Sequence, residues 1–347
     1  MPADSENLYI NVKNKICDEI YWGNFREGER MPAERQLSEH LGISRVTLRK
    51  ALEILTEEGL VSREVGNGNI ILLPNRGVPT DSDMIVLIAP AKNPFFSDFI
   101  QLVQQDGQDQ NKMVLYVEKP HSKSLSDSIY RLFRKGLQDF IIWPEDIQVD
   151  MEKIKRLRAL GTNLVFFDSN LGIPYADCVT SDNDDAIRQI RDALHERNLS
   201  DIRYIGWDRE EIYSVRSRKA AFQKEIGGKI YARLPWAKEE EAIRLLTANI
   251  RKDAASGDLP EAFLCGDRQC GELLAAALGS ENLMDATVLS CIDDFPQLSR
   301  FRSIAVRQDM DAMVHFIFSR LASQDQNGDR WKATHRRLKG QLISSRM

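Results

Sequence analysis

The 347-residue sequence predicts an α/β chain in two parts, a small winged helix-turn-helix followed by a larger doubly wound α/β domain. Three observations predict it. Residues 32–73 hold two short amphipathic helical segments, a tight turn and a glycine-containing hairpin with nothing left over. Residues 74–83, PNRGVPTDSD, have the composition of a linker. From residue 84 to 347, short apolar runs alternate with helix-length amphipathic segments, the pattern of parallel sheets with helices on both faces.

In the first part, Pro32 is placed to open a helix in its first turn, and Leu37 and Leu41 recur at the spacing of one helical face. Gly42 stops that helix. Ser44 is an N-cap for the next, with Ile43 and Leu48 at the two positions of a hydrophobic staple, and Gly59 closes it. Between Glu39 and Glu53 the chain carries Arg45, Arg49 and Lys50 and no acid. Phosphate is attracted to such a helix start, and base edges lie within reach of Arg and Thr side chains. A charged run alone reads more readily as a solvated face.

Composition sets bounds. With 42% hydrophobic residues the chain can build more than one core, and no apolar run approaches the roughly 20 residues of a membrane span. The start, MPADSENLY, has no signal-peptide character, so a cytoplasmic protein is expected. Cys17, Cys178, Cys265, Cys270 and Cys291 lack paired spacing and read as small buried apolar residues, with no metal site and no cofactor. The net charge of −5 excludes nucleic-acid binding over the whole surface; such binding needs segregated charge and weakens with salt.

The strands of the second part are read at 84–89, 113–117, 140–143, 163–168, 202–206, 262–265 and 287–291. In a doubly wound fold the loops at their carboxyl ends bind ligands.

The run PAERQLSEHLGISRVTLRKALEILTEEGLVSREVGNG, at 32–68, resembles the DNA-binding domain of the GntR family of bacterial regulators almost position by position. The resemblance implies DNA contacts from Arg35 on the first helix of the motif, from Ser44, Arg45, Thr47 and Arg49 on the recognition helix, and from Gly66, Asn67 and Gly68 at the wing tip. Arg45 or Arg49 would pair with guanine and Thr47 with a thymine methyl or a phosphate. Ala33 and Val46 depart from the family pattern, which leaves base preference open.

The remainder resembles the sensor domains of LacI/GalR-type regulators, which are similar to periplasmic sugar-binding proteins. AKNPFFSDFIQLV after the first strand carries the likeness, followed by FDSN at 167–170, SDNDDA at 181–186, SVRSRKAAF at 214–222, CGDRQ at 265–269, CIDDFP at 291–296, IAVRQDM at 304–310 and LKGQLISSR near the end. A periplasmic-binding-protein-like sensor of two lobes is implied, with an effector held between them.

A sugar offers hydroxyls that donate and accept and an apolar C–H face, so its site needs carboxylates, an Arg, an amide and an aromatic ring. Carried over by motif, the effector candidates are Asn93, Phe95, Phe96, Asp168, Arg216, Asp267, Asp293 and Gln308. Trp207 is added from the residues themselves, as a large ring after a strand, and Trp143 invites the same question. Each has a plainer reading. Phe95 and Phe96 fit a helix-cap core, Asn93 a cap for the helix that Pro94 opens, Asp168 a turn, Arg216 a surface ion pair, Trp207 a core ring and Gln308 a hinge. Asp293 and Asp294 compete for one role. Gly266 stands where the family usually has Asn, and Ser169 where Arg is frequent, so effector specificity has moved.

The expected protein is a regulator, commonly a repressor in both families, that binds double-stranded DNA as a homodimer on an inverted repeat and responds to a small effector, a sugar. The helix around 97–106 is one candidate dimer face. The alternative is a DNA-binding protein whose second part only dimerises. An enzyme is not expected: there is no nucleophile elbow, H-E-x-x-H helix or P-loop, and the chain is too short for the aminotransferase-like members of the first family.

Overall fold

The computed structural model describes residues 3–64, 68–74, 83–93, 95–119, 124–145, 148–327 and 330–345. Gly66, Asn67, Pro94 and most of the 74–83 linker lie outside the described residues.

The amino-terminal domain opens with a helix that the motif reading passed over, α1 (Ala3–Trp22). Its Val12, Ile16 and Ile20 recur every four residues and are buried, a helical stripe legible in the sequence. Next come α2 (Glu34–Leu41), α3 (Arg45–Glu57) and the antiparallel hairpin of β1 (Val61–Glu64) and β2 (Gly68–Ile71). Pro32 does not open α2 as expected. The Met31 N–H is tied to the Asn69 carbonyl at 2.8 Å, so the chain stays extended through Ala33, the N-cap, which has no side-chain oxygen to offer. Gly42 takes the left-handed conformation that ends α2. Ser44 caps α3, its hydroxyl accepting from the Thr47 N–H at 3.1 Å, while Ile43 and Leu48 join one apolar cluster.

Beyond the linker the chain forms two six-stranded sheets. Lobe 1 has the strand order β13-β7-β6-β5-β3-β4, all parallel. These are β3 (Met84–Ala89), β4 (Met113–Glu118), β5 (Asp139–Ile142), β6 (Asn163–Phe167), β7 (Asp177–Ser181) and β13 (His335–Leu338). Its helices are α4 (Phe96–Asp109), α5 (Leu125–Phe133), α6 (Met151–Leu160) and α11 (Met310–Asn327).

Lobe 2 has the order β14-β12-β11-β10-β8-β9, parallel except for β14. Its strands are β8 (Ile202–Trp207), β9 (Ile230–Leu234), β10 (Ala262–Cys265), β11 (Val288–Ile292), β12 (Ser303–Arg307) and β14 (Gln341–Ser345). Its helices are α7 (Asn183–His195), α8 (Tyr213–Glu225), α9 (Glu239–Ser256) and α10 (Arg268–Ser280).

The chain passes between lobes three times, after β7, after β12 and between β13 and β14. These crossings place Ser181, Gln308 and Gly340 at the boundary, and Arg337 ties two of them by binding Asp182 at 2.7 Å and Asp184 at 2.8 Å. The fully buried strands read as continuous apolar runs because helices cover both faces. All five cysteines are buried and unpaired. No helix among the described residues is long and apolar enough to cross a membrane.

Candidate functional site

Two regions carry polar chemistry on built frames. The first is the exposed side of the amino-terminal domain. Arg45 and Val46 lie at the start of α3, facing solvent, and Val46 is 73% exposed. Arg45 makes no ion pair among the described residues, whereas Arg49 donates to Glu34 at 2.8 Å, and that carboxylate holds its guanidinium more firmly protonated than usual. Arg35 is also exposed, with Glu39 3.9 Å away. Ser44 and Thr47 are engaged with each other at 2.8 Å as part of the cap. Of the wing-tip residues only Gly68 is described; its φ is +82° and a Cβ there would meet Arg30 Nε at 3.3 Å. Arg30, and Arg63 on β1, thus stand beside the wing, and the motif reading missed both. Arg63 reaches Glu34 at 3.5 Å, the same carboxylate that holds Arg49.

The second region is the cleft between the lobes. Each sheet ends there in an aspartate of left-handed backbone: Asp168 after β6, with φ 50°, and Asp293 after β11, with φ 66°. Their N–H groups bond the neighbouring strand in the same way, to Val179 O at 3.0 Å and to Val306 O at 2.9 Å. Asp tolerates this conformation better than most residues, and here it swings two carboxylates toward the boundary.

Asp168 accepts from the Ser214 hydroxyl of lobe 2 at 2.8 Å. Burial pushes its carboxyl up to about 6, against the pull of Arg218. Asp293 is held by Gln308, whose N–H donates at 2.8 Å and whose side-chain amide donates as well. Burial also raises the Asp293 carboxyl, again opposed by Arg218. Gln308 is the hub of the crossing, since its carbonyl accepts from Ser181 and, at 3.0 Å, from Arg218.

Arg218 is the arginine of the cleft. It is 6% exposed and donates to Asn183 Oδ1, to Gly266 O and to Gln308 Oε1, each at 3.0 Å. Arg216, the arginine expected there, does not reach it. Two residues along a helix is a rotation of about 200°, so Arg216 points outward and donates to the Glu210 carbonyl at 3.0 Å.

The other expected residues divide between the lining and the layer behind it. Asn93, Phe95, Asp168, Asp267 and Gln308 line the cleft. Asn93 does not cap α4, whose N-cap is Phe95; its carbonyl accepts from Phe95 N at 3.0 Å in the turn before the helix, and its amide reaches inward to donate to Glu145 at 3.3 Å. Asp267 caps α10 and accepts from Trp207 Nε1 at 2.5 Å. Trp207 is therefore a buried supporting ring rather than a wall, and Trp236, 5.2 Å from it edge to face, is among the rings that do line the wall. Phe96 turns away to pack on Tyr116. Asp293 stands behind Gln308, while Asp294 faces out in a bidentate pair with Arg307 at 2.9 and 2.6 Å.

Gly266 has a steric reason. A Cβ there would lie 2.5 Å from the Tyr204 hydroxyl, so Tyr204 occupies the space that an asparagine would need. Trp143, Glu145, Ser214 and Trp236 also line the cleft. Glu145 is paired with Lys119 at 2.6 Å with both side chains nearly buried. The interior of the cleft has a volume of about 50 Å³, and its mouth, between the β3–α4 and β9–α9 loops, about 700 Å³.

Residues 8–71 match the model of the bacterial regulatory proteins of the gntR family. Over 71 residues the chain is 39% identical to the HTH-type transcriptional regulator GgaR of Escherichia coli K12, which covers 20% of this chain and 29% of that protein. The chain thus spans under a third of the length of that curated relative. Over 175 residues it is 27% identical to the HTH-type transcriptional regulator SmoD of Agrobacterium fabrum, covering 40% of this chain and 72% of that one. Among solved structures, the lac repressor dimer bound to operator and the anti-inducer ONPF superposes with a TM-score of 0.62 at 15% identity, over 76% of this chain and 93% of that one. The Cra regulator of Pseudomonas putida with fructose 1-phosphate does so with a TM-score of 0.60 at 16% identity, over 77% of this chain and all of that one. The larger domain therefore has the fold of the LacI-type sensors.

Proposed function

We propose, from a chain that joins a GntR-type winged helix-turn-helix to a LacI-type two-lobed domain, that the protein is a DNA-binding transcriptional regulator, a repressor, controlled by a sugar bound between its lobes. The observation that carries this reading is the pairing of an exposed Arg45 face on α3 with a cleft whose polar groups come from both lobes. A homodimer would present two such faces to an inverted repeat.

In the cleft, Asp168 and Arg218 offer an acceptor and remaining N–H donors for ring hydroxyls, and Phe95, Trp143 and Trp236 offer apolar faces. The interior of about 50 Å³ is far below the several hundred Å³ of small-molecule pockets, so a sugar enters only when the lobes part. Ligand hydroxyls would then replace the Ser214–Asp168 and Ser181–Gln308 bonds. Affinity for DNA changes only as far as the sugar binds the two lobe arrangements differently.

A second reading has its own support. Three Arg218 donors and both Asp267 oxygens are already satisfied within the protein, as a cleft that no longer takes a ligand would be. The test is thermal unfolding against mono- and disaccharides and their phosphates, together with selection of DNA from a random pool by the full chain. One clear stabiliser that shifts binding of the selected DNA supports the sensor; selected DNA with a flat sugar panel supports the dimerisation module. No selected DNA overturns the regulator.

A further inference from the structure

The amino-terminal domain meets lobe 1 through a built surface as well as through the linker. Tyr21, near the end of α1, stacks on Tyr130 of α5 with ring centroids 3.8 Å apart and planes 2° from parallel. Each phenol is fixed across the boundary: Tyr21 donates to Asp127 at 2.6 Å and Tyr130 to Asp18 at 2.5 Å. Lys153 of α6 binds Asp127 at 2.7 Å and lies 5.0 Å above the Trp22 ring. Arg134 pairs with Asp18, and Lys155 with Glu27 at 2.5 Å.

Tyr21 is fully buried and Tyr130 is 5% exposed, so the stacked rings are removed from water, while the carboxylates that hold their hydroxyls, Asp127 and Asp18, stay partly exposed. One apolar cluster runs unbroken from Val12 and Leu48 of the reader to Val86 and Phe140 of lobe 1. All the cross-boundary bonds above end on α5, on α6 or on Arg134 at the end of α5, all on lobe 1. The docking leaves Arg45 and Val46 of α3 bare, so it does not mask the face that would meet DNA.

Ten residues of linker composition, taken as a random coil, would have a root-mean-square span of about 17 Å and fix no orientation. A lobe rearrangement passed through it alone would barely alter how two readers are spaced. We propose that the α5–α6 surface of lobe 1 takes the chain's own reader as its partner and is the contact through which lobe movement reaches DNA. The Tyr21–Tyr130 stack is its centre. This rests on the regulator reading for its purpose, and on the contacts above for its existence.

The native cysteines are buried, so nitroxide labels at Val46→Cys in the reader and Met113→Cys in lobe 1, both exposed positions, report the separation of the two bodies in the full chain. One narrow distance distribution is expected, broadening in Tyr130→Ala and also in Asp127→Asn, which keeps side-chain shape if the first variant fails to fold. Equal breadth in the doubly labelled parent and in both variants overturns the clamp. In the second arm, the DNA selected by the parent chain is titrated with and without the sugar that stabilises it. The variants should bind that DNA yet lose about tenfold of its sugar dependence; an unchanged dependence overturns the transmission role. A parent without sugar dependence sinks the effector reading instead, and the distance measurement still decides the clamp.

Discussion

The Ser214 hydroxyl of lobe 2 donates to the Asp168 carboxylate of lobe 1 across 2.8 Å, and this bond closes the cleft beside Arg218. It joins the carboxyl end of β6 to the first turn of α8, so the lobes cannot separate without breaking it. Nearby, Gln308 collects Ser181, Arg218 and Asp293 at a chain crossing. The cleft is therefore held shut by hydrogen bonds of the kind a polyhydroxyl ligand can replace one for one.

The Asp168 carboxyl makes stability depend on pH in a definable direction. Folding raises its pKa from 3.8 to about 6, so the native state binds the proton more tightly than the unfolded chain. Stability from this group is full below about pH 4 and is lost as pH rises to about 6, by roughly 3 kcal/mol at about 1.4 per unit. Asp168→Asn keeps an acceptor for Ser214 and removes the charge. Its melting temperature should match the parent near pH 4 and exceed it at pH 7. A constant difference between the two across that range would show that this carboxyl does not titrate in the window.

Arg45 and Arg49 should differ in their contribution to DNA affinity, although the motif treats them alike. Arg45 is free of ion pairs among the described residues, so Arg45→Ala removes a contact already poised, at about 1–3 kcal/mol if it pairs with a base. Arg49 must first leave Glu34, 2.8 Å away, so Arg49→Ala should cost less and Glu34→Gln should tighten binding. Fluorescence anisotropy with the selected DNA measures all three, and equal losses for the two arginines would reject the distinction.

Local signals were legible and the cleft was legible only in part. Gly42, Ser44 and Gly59 act on their immediate neighbours, and the backbone they dictate can be read from a few residues. The strand runs at 84–89 and 262–265 coincide with β3 and β10 for the same reason, being apolar from end to end. Arg216 and Arg218 lie in the polar run Arg216-Ser217-Arg218-Lys219, but Val215 and Phe222 on either side stand three before and four after Arg218, so helical spacing places Arg218 inward and Arg216 outward, a signal the carry-over by motif passed over. Trp236 and Glu145 sit on loops, where no periodicity exists to place them. The clamp on lobe 1 depends on residues more than a hundred positions apart.

Replacing Gly266 by Asn, the residue more usual in the resembled family, should destabilise the protein rather than restore a binding amide. The new Cβ would lie 2.5 Å from the Tyr204 hydroxyl, and Tyr204 is 2% exposed and cannot swing into solvent. Overpacking of this kind costs about 1–3 kcal/mol. Tyr204→Phe removes the clashing oxygen, so Gly266→Asn should cost less in that background. A denaturant-unfolding double-mutant cycle measures the coupling, and additive effects would mean that the hydroxyl is not what excludes a side chain.

Arg218 and Arg216 give the sharpest contrast, because they are two residues apart on one helix and differ only in the direction they face. Arg218→Ala deprives Asn183 Oδ1 and Gly266 O of a buried donor and leaves Gln308 with Ser181 alone, and unsatisfied buried acceptors cost about 1–3 kcal/mol each before any relaxation. Water admitted to the cleft would recover part of that, so a net loss of about 3 kcal/mol is expected. Arg216→Ala removes an exposed side chain that caps the Glu210 carbonyl and should stay within about 0.5 kcal/mol of the parent. Any sugar-induced stabilisation should survive Arg216→Ala and vanish with Arg218→Lys, which keeps the charge but cannot reach three acceptors at once. Urea midpoints and the sugar-dependent shift in melting temperature, taken on the same preparations, test both statements. Loss of the sugar response with Arg216→Ala alone would return the binding arginine to the outer face of α8.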